Sequence, residues 1–181
     1  MFEATRFAGP CEISRTTVAN YLEVLEITSV VHVIRPFSTH RATEIVSAPK
    51  VYGFDTGFVC HHRGWTELRP EDLGELWEHY VLNEIHARTQ GSPVHYWRNK
   101  SGLEVDFVLP RRGGSPIAIE CKWSASGFDA RNLRAFRQHY PNGENWLVAT
   151  DVARPYERRV DDMRVEFMGL DHLAGKLAPA K

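Results

Sequence analysis

Hydrophobic and polar residues follow two different periods along the first third of the chain. Apolar residues recur at helical spacing between Val18 and Ile27, and Ser14 stands where a helix N-cap is expected. Two runs rich in β-branched and aromatic residues follow, VVHVIRPF and APKVYGFD. The pattern therefore predicts one helix and then a β-hairpin, with Val18, Leu22 and Leu25 of the helix facing inward.

The second half has a longer pattern, which begins with a broad apolar surface at helical spacing from Pro70 to Arg88. Three strand-like runs follow, PVHYWR, LEVDFVLP and SPIAIECKW. A helix from Phe128 to His139 and the strand runs NWLVAT and RVEFMGL complete the order. The RRGG turn at residues 111–114 joins the second and third runs as a hairpin. This α-β-β-β-α-β order predicts an α/β fold in which helices flank a mixed sheet.

A polar stretch at residues 61–72 separates the two patterns and predicts two domains, residues 1–66 and residues 67–181. In the first domain, a helix followed by a hairpin is typical of a winged helix-turn-helix, in which the helix reads DNA and the hairpin is the wing. The segment before Ser14 is too short for the two supporting helices, so the winged helix would be partial. The short segment favours a helix and hairpin without DNA contact.

Composition and charge narrow the classes of function. The 181 residues include 22 basic and 23 acidic side chains, and the net charge of -1 excludes a uniformly basic DNA-coating protein but permits a local basic surface. The three cysteines lie far apart without a CxxC pair, so neither a disulfide framework nor a cysteine zinc site is predicted. No apolar run is long enough to span a membrane. We expect a cytoplasmic globular protein with no membrane partner.

Polar residues on the predicted hairpin strands carry the candidate chemistry. Because strand side chains alternate, Glu120 and Lys122 share one face of their strand. In the preceding strand the same alternation places Asp106 with Val108 and opposite Val105. Pairing of the two strands would bring Asp106 toward Glu120.

An Asp and a Glu that converge beside a Lys are the residue types that metal-dependent phosphodiester hydrolysis needs. Hard cations such as Mg²⁺ or Mn²⁺ prefer oxygen ligands, and the predicted ligands are Asp106, Glu120 and the backbone carbonyl of Cys121. Lys122 would orient or deprotonate the attacking water, or neutralise charge in the transition state. The alternative is a cross-strand salt bridge on a solvated sheet face, which would contribute little energy.

The spacing of these residues, Asp106 and, after thirteen residues, Glu120-Cys121-Lys122, resembles the PD-(D/E)XK, or restriction-endonuclease-like, superfamily. More specifically, the chain resembles the C-terminal half of prokaryotic AAA+ family ATPases, in which a winged helix precedes a PD-(D/E)XK-type module. The resemblance is carried by SRTTVANYLEVLEITSVVHVIRPF and PKVYGFDTG in the first half, and by GELWEHYVLNEI, HYWRNKSGLEVDFVL and IAIECKW in the second. It implies a restriction-endonuclease-like α-β-β-β-α-β core with an N-terminal partial winged helix. It also suggests an AAA+ ATPase module or a homo-oligomer as a partner.

The resemblance further implies a metal-associated carboxylate on the first helix of the nuclease-like module. Glu78 matches that position best, and Glu84 is the alternative, although Glu84 could instead pair with Arg88 one turn further along. The GxxxxGK phosphate loop of the ATPase module is absent from these residues, so we expect no ATP hydrolysis.

DNA is the expected substrate, and basic or hydroxyl side chains of three segments are candidates for contacting it. On the helix after the Glu120 strand, arginines recur every three residues; they could follow a phosphate backbone or form a solvated helix face. The other candidates lie after the first strand of the second half and in the first turn of the first predicted helix. The full set is Arg98, Lys100, Arg131, Arg134, Arg137, Arg15, Thr16 and Thr17.

The sequence therefore predicts a Mg²⁺- or Mn²⁺-dependent endonuclease with Asp106, Glu120, Lys122 and Glu78 as catalytic residues. A non-catalytic module that retains the nuclease fold to bind DNA or an ATPase would present the same carboxylates. An oligomerisation domain is favoured only if these carboxylates pair with Arg or Lys and do not converge.

Overall fold

The computed structural model describes residues 1–38, 48–89 and 91–178. The helices in these ranges are α1 (Ala4–Ala8), α2 (Arg15–Ile27), α3 (Thr56–Arg63), α4 (Pro70–Thr89), α5 (Arg131–His139) and α6 (Leu170–Leu177). The strands are β1 (Val31–Pro36), β2 (Lys50–Gly53), β3 (His95–Arg98), β4 (Glu104–Leu109), β5 (Ile117–Lys122), β6 (Asn145–Ala149), β7 (Tyr156–Val160) and β8 (Met163–Met168). None of these helices is both long and apolar enough to cross a membrane.

One mixed sheet contains all eight strands, in the order β2-β1-β3-β4-β5-β6-β8-β7. The predicted order α-β-β-β-α-β of the second half is confirmed by α4 to β6, and β4 and β5 form the predicted antiparallel hairpin. The predicted first-half hairpin is also present, but it continues the sheet of the second half because β1 pairs in parallel with β3. The predicted boundary at residue 66 falls in the connection between α3 and α4.

Helices cover both faces of the sheet and define two apolar clusters. On one face α4 and α6 pack through Val81, Leu82, Ile85 and Leu173 against strand residues such as Phe107. On the other face α5 packs against a second cluster, which contains Val105, Val108, Leu133, Phe136 and Leu147. The sheet is therefore the buried middle layer, and residues on its two faces meet different helices.

Helix α2 begins where the sequence predicts, because the hydroxyl of Ser14 accepts a hydrogen bond from the backbone N–H of Thr17 at 3.0 Å. Its predicted inward face is only partly correct. Val18 is buried, but Leu25 is exposed, as are the neighbouring apolar residues Tyr21, Val24 and Ile27. Among the described elements, α1 and β1 make the most extensive contacts with this helix. Without further helices the remainder of its apolar surface stays uncovered.

Three histidines lie where the β1–β2 hairpin packs on α4. The rings of His32 and His86 stack with centroids 4.4 Å apart, and the second ring nitrogen of His86, Nε2, is buried without a hydrogen-bond partner among the described residues. His79 Nδ1 lies 3.2 Å from the carbonyl oxygen of Gly53. Burial, and then the nearby His32, lower the pKa of His86 to about 4. The packing of the hairpin on α4 therefore requires a neutral His86.

The depressed pKa of His86 predicts a loss of stability in mild acid. In the unfolded chain His86 binds a proton near pH 6.5, whereas in the folded protein it does so only near pH 4. The contribution of neutral His86 to the free energy of unfolding is therefore complete above pH 6.5 and is lost as the pH falls toward 4. His86→Phe, which keeps a ring to stack on His32, should flatten this part of the pH dependence of urea unfolding. Equal slopes for both proteins between pH 6.5 and 4 would contradict the assignment.

Candidate functional site

A β-bulge in β4 sets the direction of the Asp106 side chain. The two-residue step from His95 to Trp97 on β3 faces the three-residue step from Val108 to Val105 on β4. The extra residue interrupts the alternation of side chains, and Val105 and Val108 consequently lie in the same apolar cluster. The predicted placement of these two valines on opposite faces is therefore wrong, because strict alternation was assumed through a bulge.

Strand β5 follows the predicted alternation. Ile117, Ile119 and Cys121 lie in the cluster beneath α4, whereas Ala118 lies in the cluster beneath α5. Glu120 is fully buried, and its Oε2 accepts a hydrogen bond of 3.0 Å from Lys122 Nζ. Its other oxygen, Oε1, is buried without a hydrogen-bond partner among the described residues. Strand β5, which pairs with β6 from Ala118 to Lys122, thus carries a carboxylate with one oxygen that accepts no hydrogen bond from the described residues.

Lys122 joins the carboxylates of β4 and β5. Its Nζ lies 3.0 Å from Glu120 Oε2 and 4.0 Å from Asp106 Oδ2. The same Oδ2 accepts a hydrogen bond of 2.8 Å from the backbone N–H of Cys121. The structure therefore brings Asp106, Glu120, Cys121 and Lys122 together, and we call these four residues the carboxylate cluster.

The carboxylate cluster strongly disfavours negative charge. Burial, together with the charges of Glu78 and Glu120, raises the pKa of Asp106 well above its ordinary value. Burial also raises the pKa of Glu120, although Lys122 and the side chain of Asn132 act in the opposite direction. The two carboxylates raise the pKa of Lys122 despite its burial, so Lys122 remains protonated. Titratable groups with strongly shifted pKa values are enriched at functional sites, so this cluster is the candidate site of the chain.

Glu78 reaches the cluster from α4, whereas Glu84 does not. The Nζ of Lys50 lies 3.0 Å from Glu78 Oε1, and the hydroxyl of Tyr52 donates a hydrogen bond to the same oxygen. Glu84 instead forms an ion pair of 2.6 Å with Arg88, which is the structural role considered for it above. The geometry therefore separates the two helix carboxylates.

Lys50 and Tyr52 are the residues of this site that sequence reasoning missed. Both lie on β2, far from Glu78 in the sequence, and Lys50 also forms an ion pair with Glu104 of β4. No local pattern predicts these contacts, because they depend on the parallel pairing of β1 with β3. The one available indication is alternation in KVYG, which places Lys50 and Tyr52 on the same face.

Carboxylate oxygens such as those of Asp106 and Glu120 are the type of donor that a hard divalent cation prefers. Among the described residues Glu120 Oε1 is buried without a hydrogen-bond partner, and both carboxylates lie within 4.0 Å of Lys122 Nζ. The residues that the structure describes contain no group of three or more His, Cys, Asp or Glu side chains arranged to hold a metal ion. Glu78, the third predicted carboxylate, is engaged by Lys50 and Tyr52 instead.

The predicted DNA-contacting residues are dispersed, and most of the arginines are paired. Arg98 lies 3.2 Å from Glu104, Arg131 lies 2.6 Å from Asp129, and Arg134 pairs with Asp161. On the surface, Lys100 is exposed in the turn before β4, and Arg15 and Thr16 are exposed at the start of α2, where Thr17 is partly buried.

Arg137 is not part of an exposed arginine stripe, which corrects the prediction of a three-residue phosphate track. Its side chain is buried, and its guanidinium donates hydrogen bonds to the side-chain oxygen of Asn145 and to four backbone carbonyl oxygens. Those carbonyls belong to Pro116, Tyr140, Asn142 and Glu144. Steps of three along a helix drift around its axis, so the third arginine of the series reaches the interior.

The fold and the site define a mixed α/β protein in which a buried carboxylate, a partly buried carboxylate and a lysine meet on the central hairpin of the sheet. The chain belongs to the family of the domain of unknown function DUF4143, whose profile matches residues 73–168, more than half of the chain. A second domain of unknown function, DUF8612, matches residues 1–69. The carboxylate cluster lies within the first match, and Lys50 and Tyr52 lie within the second.

The relatives found by sequence are uncharacterized proteins of Mycobacterium tuberculosis and Mycobacterium bovis. Each is 27% identical to this chain over 139 residues, which is 75% of this chain and 31% of the relative. The chain thus spans about a third of the length of these relatives. Among solved structures, the complex of Thermococcus gammatolerans McrB AAA+ hexamers with bound McrC matches with a TM-score of 0.39 and 13% identity. That match covers 54% of this chain and 28% of the other, a similarity too low to assign the fold.

The burial of Arg137 predicts a large difference between two arginines of the same helix. Arg137→Gln should lower the free energy of unfolding by about 3 kcal/mol, because buried carbonyl oxygens lose their donors. Arg134→Gln, which removes an exposed ion pair, should cost less than about 1 kcal/mol. Urea unfolding of both variants measures the difference, and similar costs would contradict the buried role of Arg137.

The raised pKa of Asp106 predicts that this carboxylate destabilises the metal-free protein at neutral pH. A folded pKa above the ordinary value of 3.8 means that stability is lost as the pH rises from about 3.8 through the folded pKa. Asp106→Asn keeps an acceptor for the Cys121 N–H without the charge. In EDTA it should therefore be more stable than the natural chain at pH 7.5, with a smaller difference at pH 4. Urea unfolding checks this, and a variant less stable than the natural chain at pH 7.5 would contradict it.

Proposed function

We propose that this chain is a PD-(D/E)XK-type nuclease module that hydrolyses DNA phosphodiesters with a bound Mg²⁺ or Mn²⁺. In this proposal α4, β3, β4, β5, α5 and β6 form the restriction-endonuclease-like core, and α2 with the β1–β2 hairpin is the partial winged helix. The observation that carries the proposal is the convergence of Asp106 and Glu120 on Lys122, with one oxygen of Glu120 left without a hydrogen-bond partner in the part of the chain that the structure describes.

The residues that would hold the metal ion are Asp106, Glu120 and the backbone carbonyl of Cys121. The bound ion would polarise the scissile phosphate and lower the pKa of a coordinated water. The protein contributes a fixed arrangement of oxygens, since Asp106 is held by the Cys121 N–H and Glu120 is held by Lys122. Both carboxylates therefore lower the stability of the folded protein as long as no metal ion is bound.

Lys122 acts as a charged group rather than as a base. Asp106 and Glu120 keep its ammonium protonated, and its side chain is 29% exposed, which leaves it accessible from solvent. An ammonium in this position orients the attacking water by hydrogen bonding and stabilises the negative charge that develops on the phosphate oxygens. Of the roles considered from the sequence, deprotonation of the attacking water is therefore the one that does not fit this environment.

An aromatic surface beside the cluster supports a nucleic-acid substrate. Trp123 directly follows Lys122 and is 44% exposed, and Tyr80 of α4 is 52% exposed. Trp77 lies between them, with its ring centroid 6.4 Å from that of Trp123 in an edge-on contact. Exposed aromatic rings stack on nucleobases regardless of sequence, and here they adjoin the proposed position of the phosphate.

A second candidate function is a non-catalytic module that retains the nuclease fold. The observation that favours it is the engagement of Glu78 and Glu104 by Lys50, because carboxylates paired with lysine are not free to bind a metal. The family to which the chain belongs is found in proteins associated with AAA ATPases, so an ATPase is the partner in this candidate. Binding of DNA without turnover would distinguish it from the nuclease.

Catalysis should depend on both Glu120 and Lys122 of the proposed site. Glu120→Gln should abolish Mg²⁺-dependent cleavage of linear, branched and single-stranded DNA, because the amide keeps the shape but loses the charge that holds the ion. Lys122→Ala should reduce turnover by at least about a hundredfold while changing Mn²⁺ affinity much less. Cleavage assays in Mg²⁺ and in EDTA, together with Mn²⁺ calorimetry, measure both effects.

Glu84→Gln is the matched control for Glu120→Gln, because it also neutralises a carboxylate, but one that pairs with Arg88 instead of with residues of the carboxylate cluster. It should cleave DNA at the rate of the natural chain. Undiminished cleavage by Glu120→Gln would place the activity elsewhere, and DNA binding without any cleavage by the natural chain would favour the second candidate.

A further inference from the structure

Lys50 occupies the centre of a group of acidic side chains that come from three different elements. Its Nζ lies 3.0 Å from Glu78 Oε1 of α4 and forms an ion pair with Glu104 of β4. The negative charge of Asp106 also acts on it. Lys50 itself comes from β2, so residues of the first half supply a positive charge to a site built by the second half.

The surroundings of Lys50 enclose its ammonium group. The side chain is 13% exposed, and the ring centroids of Tyr52 and Tyr96 each lie 5.7 Å from Nζ. Tyr52 donates a hydrogen bond to the same Glu78 oxygen that Lys50 contacts. A lysine held in this way is poorly placed to bind a phosphate from solvent, because two carboxylates and two rings already occupy its surroundings.

Charge balance gives Lys50 a specific role. Glu78, Glu104, Asp106 and Glu120 carry four negative charges when ionised, and the cations in contact with them are Lys50, Lys122 and Arg98. A divalent cation beside Asp106 and Glu120 would add two positive charges next to Asp106, whose negative charge already acts on Lys50. Glu78 can bind this cation only if the ion pair between Lys50 and Glu78 opens.

We propose that Lys50 is a resident counter-cation, which holds Glu78 away from the metal in the metal-free protein and is displaced when a divalent cation binds. This inference rests on the proposed function in one respect, namely that Asp106 and Glu120 bind such a cation. Lys50 is a positioning residue, since it acts through Glu78 and does not contact the reacting atoms. The first half of the chain thereby sets the metal concentration at which the site of the second half is occupied.

The first test measures Mn²⁺ affinity by calorimetry and by the loss of the free-ion electron paramagnetic resonance signal. Lys50→Gln should bind Mn²⁺ roughly tenfold more tightly than the natural chain, because one nearby positive charge is removed. Lys50→Arg retains the charge and should bind like the natural chain. Arg158→Gln removes one positive charge from the exposed strand β7 and is the matched control, with unchanged affinity expected.

The second test uses the natural chain and needs no substitution. Saturating Mg²⁺ should increase the rate at which Lys50 is acetylated by a soluble reagent, measured by mass spectrometry, because the ammonium leaves its carboxylate partners. Lys176, which pairs with Glu144 and Glu166 near the opposite end of β6, should react at the same rate with and without Mg²⁺.

The outcomes separate this inference from the proposed function. Tighter Mn²⁺ binding by Lys50→Gln and faster acetylation of Lys50 in Mg²⁺ support it. Mn²⁺ binding by the natural chain with equal or weaker binding by Lys50→Gln, or an unchanged rate of Lys50 acetylation, overturns the inference and leaves the nuclease proposal intact. Absence of Mn²⁺ binding in every protein overturns both.

Discussion

The withdrawal of two carboxylates from water around a single lysine, Glu120 fully and Asp106 for the most part, is the constraint on which the rest of the site depends. Removing Asp106 and Glu120 from water is costly, and one lysine offsets only part of that cost. The backbone N–H of Cys121 contributes by donating to Asp106, and this contact exists because β4 and β5 are adjacent strands of one hairpin. The bulge in β4 then directs Asp106 toward that N–H. The arrangement of the two carboxylates therefore requires the pairing of β4 with β5, the bulge in β4 and Lys122 together.

A continuous sheet makes the two halves of the chain energetically dependent on each other. The parallel pairing of β1 with β3 brings β2 over α4, where Tyr52 and Lys50 meet Glu78. The same packing buries His86, whose neutral form the folded state requires. Helix α4 is fixed from the other side as well, since the indole N–H of Trp77 donates to the carbonyl of Val148 at 3.0 Å. Helix α4 thus carries Glu78, which contacts Lys50 and Tyr52, between Trp77 and His86, which pack against the rest of the fold.

Much of the second half could be predicted from the sequence, because its apolar periods are long and its hairpin turn is distinctive. The order from α4 to β6 follows from the helical and strand periods, and the two faces of β5 follow from the alternation of its side chains. The bulge at Asp106 and the burial of Arg137 could not be predicted, because both depend on pairing and packing with residues distant in the sequence. Strand β7, whose residues are almost all exposed, shows no alternation, and α6 follows β8 without a side-chain cap. Lys50 was missed because no spacing rule connects β2 with α4.

The central claim, that Asp106 and Glu120 together hold a divalent cation, is tested most directly by anomalous diffraction from crystals of this chain grown with Mn²⁺. The account predicts one strong manganese peak within coordination distance of Asp106, Glu120 and the carbonyl of Cys121, with the Lys50 ammonium moved away from Glu78 and the Glu78 carboxylate turned toward the ion. Manganese bound only at other positions, or none at these oxygens at millimolar concentrations, would contradict it.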